Sequence, residues 1–97
     1  MRVIGLDLVS SRLNGDPFSQ RADALRAWVY ELEHRDFSTS AHLAAAFPRV
    51  DLSAAPVAIF HLAYAPFRID TVVDFRTRVV LITRISEVRQ HLESANT

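Results

Sequence analysis

The stretch VAIFHLAYAPFRIDTVVDFRTRVVLITRI (57–85) decides the fold. It contains three runs rich in β-branched and aromatic residues, 57–64, 67–75 and 79–85, separated only by AP and RTR. Runs of this composition form strands, and connectors this short suit hairpins. The three strands are therefore expected to be antiparallel neighbours. In the middle run, Phe67, Ile69, Thr71, Val73 and Phe75 take one side. Arg68, Asp70, Val72, Asp74 and Arg76 take the other. One side is expected to bury against helices and the other to be polar. After Ile85 the period changes. SEVRQHLE (86–93) reads as a helix capped by Ser86, with Val88 and Leu92 turned toward the fold.

Upstream, MRVI (1–4) suits a short strand, and Leu6, Val9 and Leu13 recur at helical spacing until NGDP (14–17). Asp16-Pro17 has the residue types that begin a helix: a capping carboxylate, then a proline whose missing N–H costs nothing in the first turn. Leu25, Trp28, Val29 and Leu32 lie on one face of the next helix. Burying each of them contributes roughly 1.5–3 kcal/mol. Trp28 reads as core rather than as a binding platform. DFSTSAHLAAAFPRVD (36–51) reads as a loop with capping residues Ser38, Thr39 and Ser40, then a short helix burying Leu43 and Phe47, stopped by Pro48. LSAAP (52–56) is a linker. The expected fold is α+β, one domain over 1–97. An N-terminal strand and helices pack on one face of a mostly antiparallel sheet, and a C-terminal helix closes the chain.

With 97 residues, 49% of them apolar, the chain suits one domain held by packing. It has no cysteine, which rules out disulfides and thiolate metal sites. No apolar run reaches the roughly 18–20 residues that span a bilayer. No leader pattern opens the chain. The expectation is a cytoplasmic protein with no membrane, metal or cofactor. Eleven basic residues balance eleven acidic ones, and every basic residue is arginine. Codon usage explains that bias, and so does a need for planar paired donors toward phosphate or carboxylate. Zero net charge argues against strong non-specific nucleic-acid binding but leaves room for a local arginine cluster.

His34, His42, His61 and His91 form no metal-binding spacing, and the only two glycines, Gly5 and Gly15, form no phosphate loop. No serine elbow is present. What remains is the polar sheet face and the junction after it, with Arg68, Asp70, Asp74, Arg76, Arg78, Arg84, Arg89 and His91. These residues suit cross-strand ion pairs on a solvated face. They also suit, less readily, a cleft in which arginines hold a phosphodiester and a histidine or carboxylate moves protons. His61, set among apolar neighbours, fits a core or edge histidine as well as a catalytic one.

ALRAW (24–28), DF (36–37), LAAAFPRVD (43–51), PVAIFHL (56–62) and FRIDTVVDFRTRVVLI (67–82) form an ordered series. That series resembles the HigB family of toxins from bacterial type II toxin–antitoxin systems, within the wider RelE/ParE-like group. The resemblance runs from about Ala24 to Ile85, and the opening MRVI fits it too. It implies a RelE-like fold and a ribosome-associated endoribonuclease that cuts mRNA. It also implies a cognate antitoxin, typically with a helix-turn-helix DNA-binding part. Arg68 stands where the family's strand arginine stands. On this reading the candidate RNA contacts are Arg68, Arg76, Arg84, Arg89 and His61, and the candidate catalytic residues are His91, Glu87 and Arg68.

The chain departs from the family at three places. It has AYAP (63–66) where a Gly-Asn turn is usual, and His61 where asparagine is frequent. Where the family reads Thr-His-x-Glu-Tyr, this chain has Glu87, Val88, Arg89, Gln90 and His91. His91 lies one helical turn from the missing imidazole and could replace it, with Glu87 or Asp70 orienting it. One alternative follows from the same departures, a module that keeps the fold and binds an antitoxin-like protein without cutting RNA; a gyrase-directed poison of the ParE kind is a third.

Overall fold

The computed structural model describes residues 1–15, 19–62 and 67–87. Its elements are β1 (Arg2–Ile4), α1 (Leu6–Leu13), α2 (Gln20–His34), α3 (Ser40–Ala46), β2 (Val57–His61), β3 (Phe67–Asp74) and β4 (Val79–Glu87). The four strands form one sheet in the order β1-β4-β3-β2. β2, β3 and β4 are antiparallel neighbours, and β1 adds to β4 in parallel. This is the expected α+β architecture, with the helices on one face of a mostly antiparallel sheet.

Alternation sorts the sheet's residues between its two sides. On β3, Phe67, Ile69, Thr71 and Val73 are buried. They meet Ala58 and Phe60 of β2, Val80, Ile82 and Ile85 of β4, and Leu25, Trp28 and Leu32 of α2 in one core. Trp28 meets Phe60 edge-on at 5.2 Å, and Phe60 meets Phe47 edge-on at 5.3 Å. Phe47 in turn lies 5.8 Å from Phe37. Helix, sheet and the α3 segment are thus joined by aromatic contacts, each worth about 0.5–1.5 kcal/mol beyond area burial. Trp28 is core, but its indole Nε1 has no hydrogen-bond partner among the described residues.

Local chemistry sets the helix ends. Gly5 precedes α1 at φ 99°, where only glycine is relaxed, and a Cβ there would lie 2.8 Å from the Ile82 carbonyl oxygen. Ser19 caps α2 by accepting from the Ala22 N–H at 3.1 Å. The helix therefore begins at Gln20 and not at Pro17, and Asp16 and Pro17 themselves lie outside the described residues. Of the three capping candidates before α3, Thr39 is the one used, accepting from His42 N–H at 3.1 Å. The Met1 amino group donates to the Leu32 and Arg35 carbonyls, each at 2.7 Å, at the end of α2. A cation there meets the negative end of the helix dipole.

Two boundaries differ from expectation. β2 stops at His61 rather than running to 64, although Leu62 N–H still donates to the Phe67 carbonyl at 3.2 Å. Ser86 does not cap a helix. It and Glu87 continue β4, opposite Arg68 and Phe67. Backbone pairing with β3 outweighs the capping preference of an isolated serine. The remainder of the expected terminal helix, with Val88 and Leu92, lies outside the described residues.

β4 also carries a bulge. Thr71 pairs with Ile82 while Asp70 pairs with Arg84, which leaves Thr83 extra. The Thr83 hydroxyl donates to the Asp70 carbonyl at 3.0 Å and fastens the bulge. Inward residues on β4 are therefore Val80, Ile82 and Ile85, with a spacing of three after Ile82.

Gly5→Ala should lower unfolding free energy by about 1–3 kcal/mol through forced backbone strain. Trp28→Ala should lower it by about 3–5 kcal/mol through loss of a buried aromatic. Urea titration at constant m-value checks both.

Candidate functional site

The face turned away from the helices is read from the register as four cross-sheet rows. The first holds Ser86, Arg68 and His61. The second holds Arg84, Asp70 and Ile59. The third is wholly aliphatic, with Ile4, Leu81, Val72 and Val57 crossing all four strands. The fourth holds Arg2, Val79 and Asp74. Paired residues share a side of the sheet, so each row presents its side chains together. The open face is therefore not uniformly polar: Ile4 is 42% and Leu81 41% exposed.

The first two rows gather His61, Arg68, Arg84 and Ser86 at one end of the sheet. Directly opposed Cβ atoms in such pairs are about 4.5–5.5 Å apart. The Arg68 guanidinium Nε donates to Asp70 Oδ1 at 2.9 Å. Both partners are partly solvated, so the pair is worth little to stability. Its local effect is to hold the guanidinium along the strand. Arg84 is exposed and makes no hydrogen bond or ion pair among the described residues.

Asp51 borders the same end through its bridge to Ile59. Its carboxylate is held below its ordinary pKa first by hydrogen bonds from the Ser53 hydroxyl and N–H, with His61 and Arg68 adding attraction.

Three residues assigned by the sequence stand apart from this cluster. Glu87 pairs with Phe67 and so faces the helix side of the sheet, where Arg21 of α2 donates to it at 3.0 Å. The structure does not bring Glu87 together with Arg68 and Arg84. Arg76 sits in the β3–β4 turn, eight positions along from Arg68, roughly 25 Å at strand rise. Arg78, in the same turn at φ 60°, is engaged by Asp36 at 3.4 Å. Arg89 and His91 lie outside the described residues.

Sequence reasoning missed Ser86 as a member of the arginine row, because it was read as a helix cap. It also missed the bulge that sets Thr83 and Arg84 side by side. The spacing of Ile82 and Ile85 carries that signal, since an unbroken strand would place inward residues two apart.

A hollow of about 290 Å³ opens beside the end of β2, walled by Trp28, Phe47, Phe60 and Leu62, with Arg49 and His61 among its polar lining residues. His61 thus belongs both to the arginine row and to the border of this hollow. The other two described histidines are occupied. His34 stacks on Tyr30 at 3.9 Å, and His42 meets Phe37 edge-on at 5.2 Å. Among the described residues no group of three or more His, Asp or Glu is placed to hold a metal ion. No helix among them is long and apolar enough to cross a membrane.

No protein-family model matches the chain, and no curated protein matches it.

At the far end of β3, Asp74 accepts from the Thr77 and Arg76 N–H groups, and these bonds hold its carboxyl below its ordinary 3.8. A lowered carboxylate stabilises the fold above its unfolded pKa, and that contribution is lost as pH falls through the folded value. Asp74→Asn should therefore flatten the loss of thermal stability below about pH 3.8 relative to wild type. Melting curves from pH 2 to 6 check this.

Proposed function

We propose that the chain is a HigB-like toxin of a type II toxin–antitoxin module, working in the cytoplasm as a ribosome-associated endoribonuclease on mRNA. The sequence resemblance supplies this reading. The observation that carries it furthest is the convergence of His61, Arg68 and Arg84 from three adjacent strands on the face that the helices leave open. In cleavage of this class, the 2′-hydroxyl oxygen attacks the adjacent phosphorus, and the bond to the 5′-oxygen breaks. Charge builds on the phosphoryl oxygens, and guanidinium groups fixed beside them lower the barrier. Arg68 is the first phosphate contact in this reading, with Arg84 beside it. His91 and Arg89 keep the roles the resemblance implies for them. The partner is a cognate antitoxin, a helix-turn-helix DNA-binding protein.

A second reading has its own support. Asp70 already engages Arg68, Glu87 is engaged by Arg21, and the family's terminal histidine position holds Val88. A chain of this fold whose charges are satisfied internally suits a module that binds an antitoxin-like protein without cutting RNA.

Expression without a partner separates the two readings. The toxin reading expects growth arrest and cleaved transcripts, and the module reading expects healthy cells and intact transcripts. Arg68→Ala should reduce transcript cleavage by about 10²–10³-fold. Its melting temperature should stay near that of wild type, because the side chain is exposed. Full toxicity in this variant would remove Arg68 from the site.

A further inference from the structure

We propose that His61 is the base that takes the 2′-hydroxyl proton. This inference rests on the ribonuclease reading above and names a catalytic residue for that same site. Three observations converge on it. His61 is the direct cross-strand partner of Arg68, so its imidazole and the leading phosphate-binding group share one row of the open face. It is exposed, and it has no hydrogen-bond or ring partner among the described residues. His34 and His42, by contrast, are engaged by Tyr30 and Phe37. It also borders the aromatic hollow beside β2, at the sheet edge.

The chemistry balances with one imidazole and water. The neutral ring takes the 2′-hydroxyl proton as the O2′–P bond forms. The P–O5′ bond breaks, and the departing oxygen takes a proton from water. The products are a 2′,3′-cyclic phosphate and a 5′-hydroxyl, and the imidazolium returns its proton to the hydroxide. General-base action of this kind is worth about 10²–10⁴-fold. Imidazole is the side chain whose ordinary titration falls in the physiological range. The charged groups beside His61 are Arg68 and Asp70 from β3, Arg84 from β4 and Asp51 from the segment before β2, while Arg49 and Glu31 line the hollow it borders. The pH–rate profile therefore reports the cluster as a whole.

The test uses the full-length chain and a single-stranded RNA. Its binding control is the same strand with a 2′-deoxy nucleotide at the cut position. The expected result is that His61→Ala cuts about 10²–10⁴-fold more slowly while still binding the deoxy strand. Imidazole added to the buffer should restore part of the rate. The wild-type pH–rate profile should change shape in His61→Gln. If His61→Ala cuts like wild type while His91→Gln does not, the proton carrier is on the terminal segment. The inference then fails and the ribonuclease reading stands. Loss of deoxy-strand binding with no rescue by imidazole makes His61 a phosphate contact and also overturns the proposal. A wild-type chain that leaves every RNA intact overturns both.

Discussion

Where β3 sits between β2 and β4 determines both sides of the sheet at once. Thr71 lies at its middle, fully buried, and its hydroxyl donates to the Ala58 carbonyl at 2.7 Å. A slip of one residue would bury Arg68 and Asp70 and expose Phe67 and Ile69, because side chains alternate strictly along a strand. It would also leave the Thr71 hydroxyl unpaired or misdirected inside the core, at a cost of about 1–3 kcal/mol. The core contacts of Trp28 and Phe60 and the arginine row on the opposite side thus depend on the same pairing.

The bulge at Thr83 adds a correction to that pairing. Without the extra residue, the inward phase of β4 after Ile82 would continue to Arg84, and a guanidinium would point into the helices. With it, Ile85 turns inward and Arg84 joins Asp70 on the open side. The same shift sends Ser86 outward and Glu87 toward the helices, where Arg21 meets it. A single inserted position therefore decides which end groups can cooperate.

Much of this fold was legible from local pattern. The alternation of β3, the apolar face of α2 and the stop at Pro48 all follow from residue spacing, and each is dominated by burial of large side chains. The failures fall where two local rules compete. Ser86 has a helix-capping side chain, yet its backbone is claimed by a strand partner distant in sequence. Asp16-Pro17 has the composition of a helix start, yet Ser19 supplies the cap. The candidate site was only partly legible for the same reason. Arg68 and Arg84 read correctly as residues of the polar face, whereas His61 was left open between core, edge and site, and the neighbourhood of all three depends on register. Arg76 carries the same chemistry and lies at the other end of the strand, a separation that composition does not encode.

Among the described residues β1 pairs with β4 alone, and the two are the first and last strands there. Contacts between distant segments carry a loop-closure cost that must be met before they add stability. During synthesis β1 therefore has no strand neighbour until β4 has emerged. Until then the inner side of β2 and β3 and the apolar stripe of α2 have only each other and the α3 segment for cover. A chain halted before Val79 would hold an incomplete sheet with its central position vacant, the kind of species that chaperones and proteases recognise.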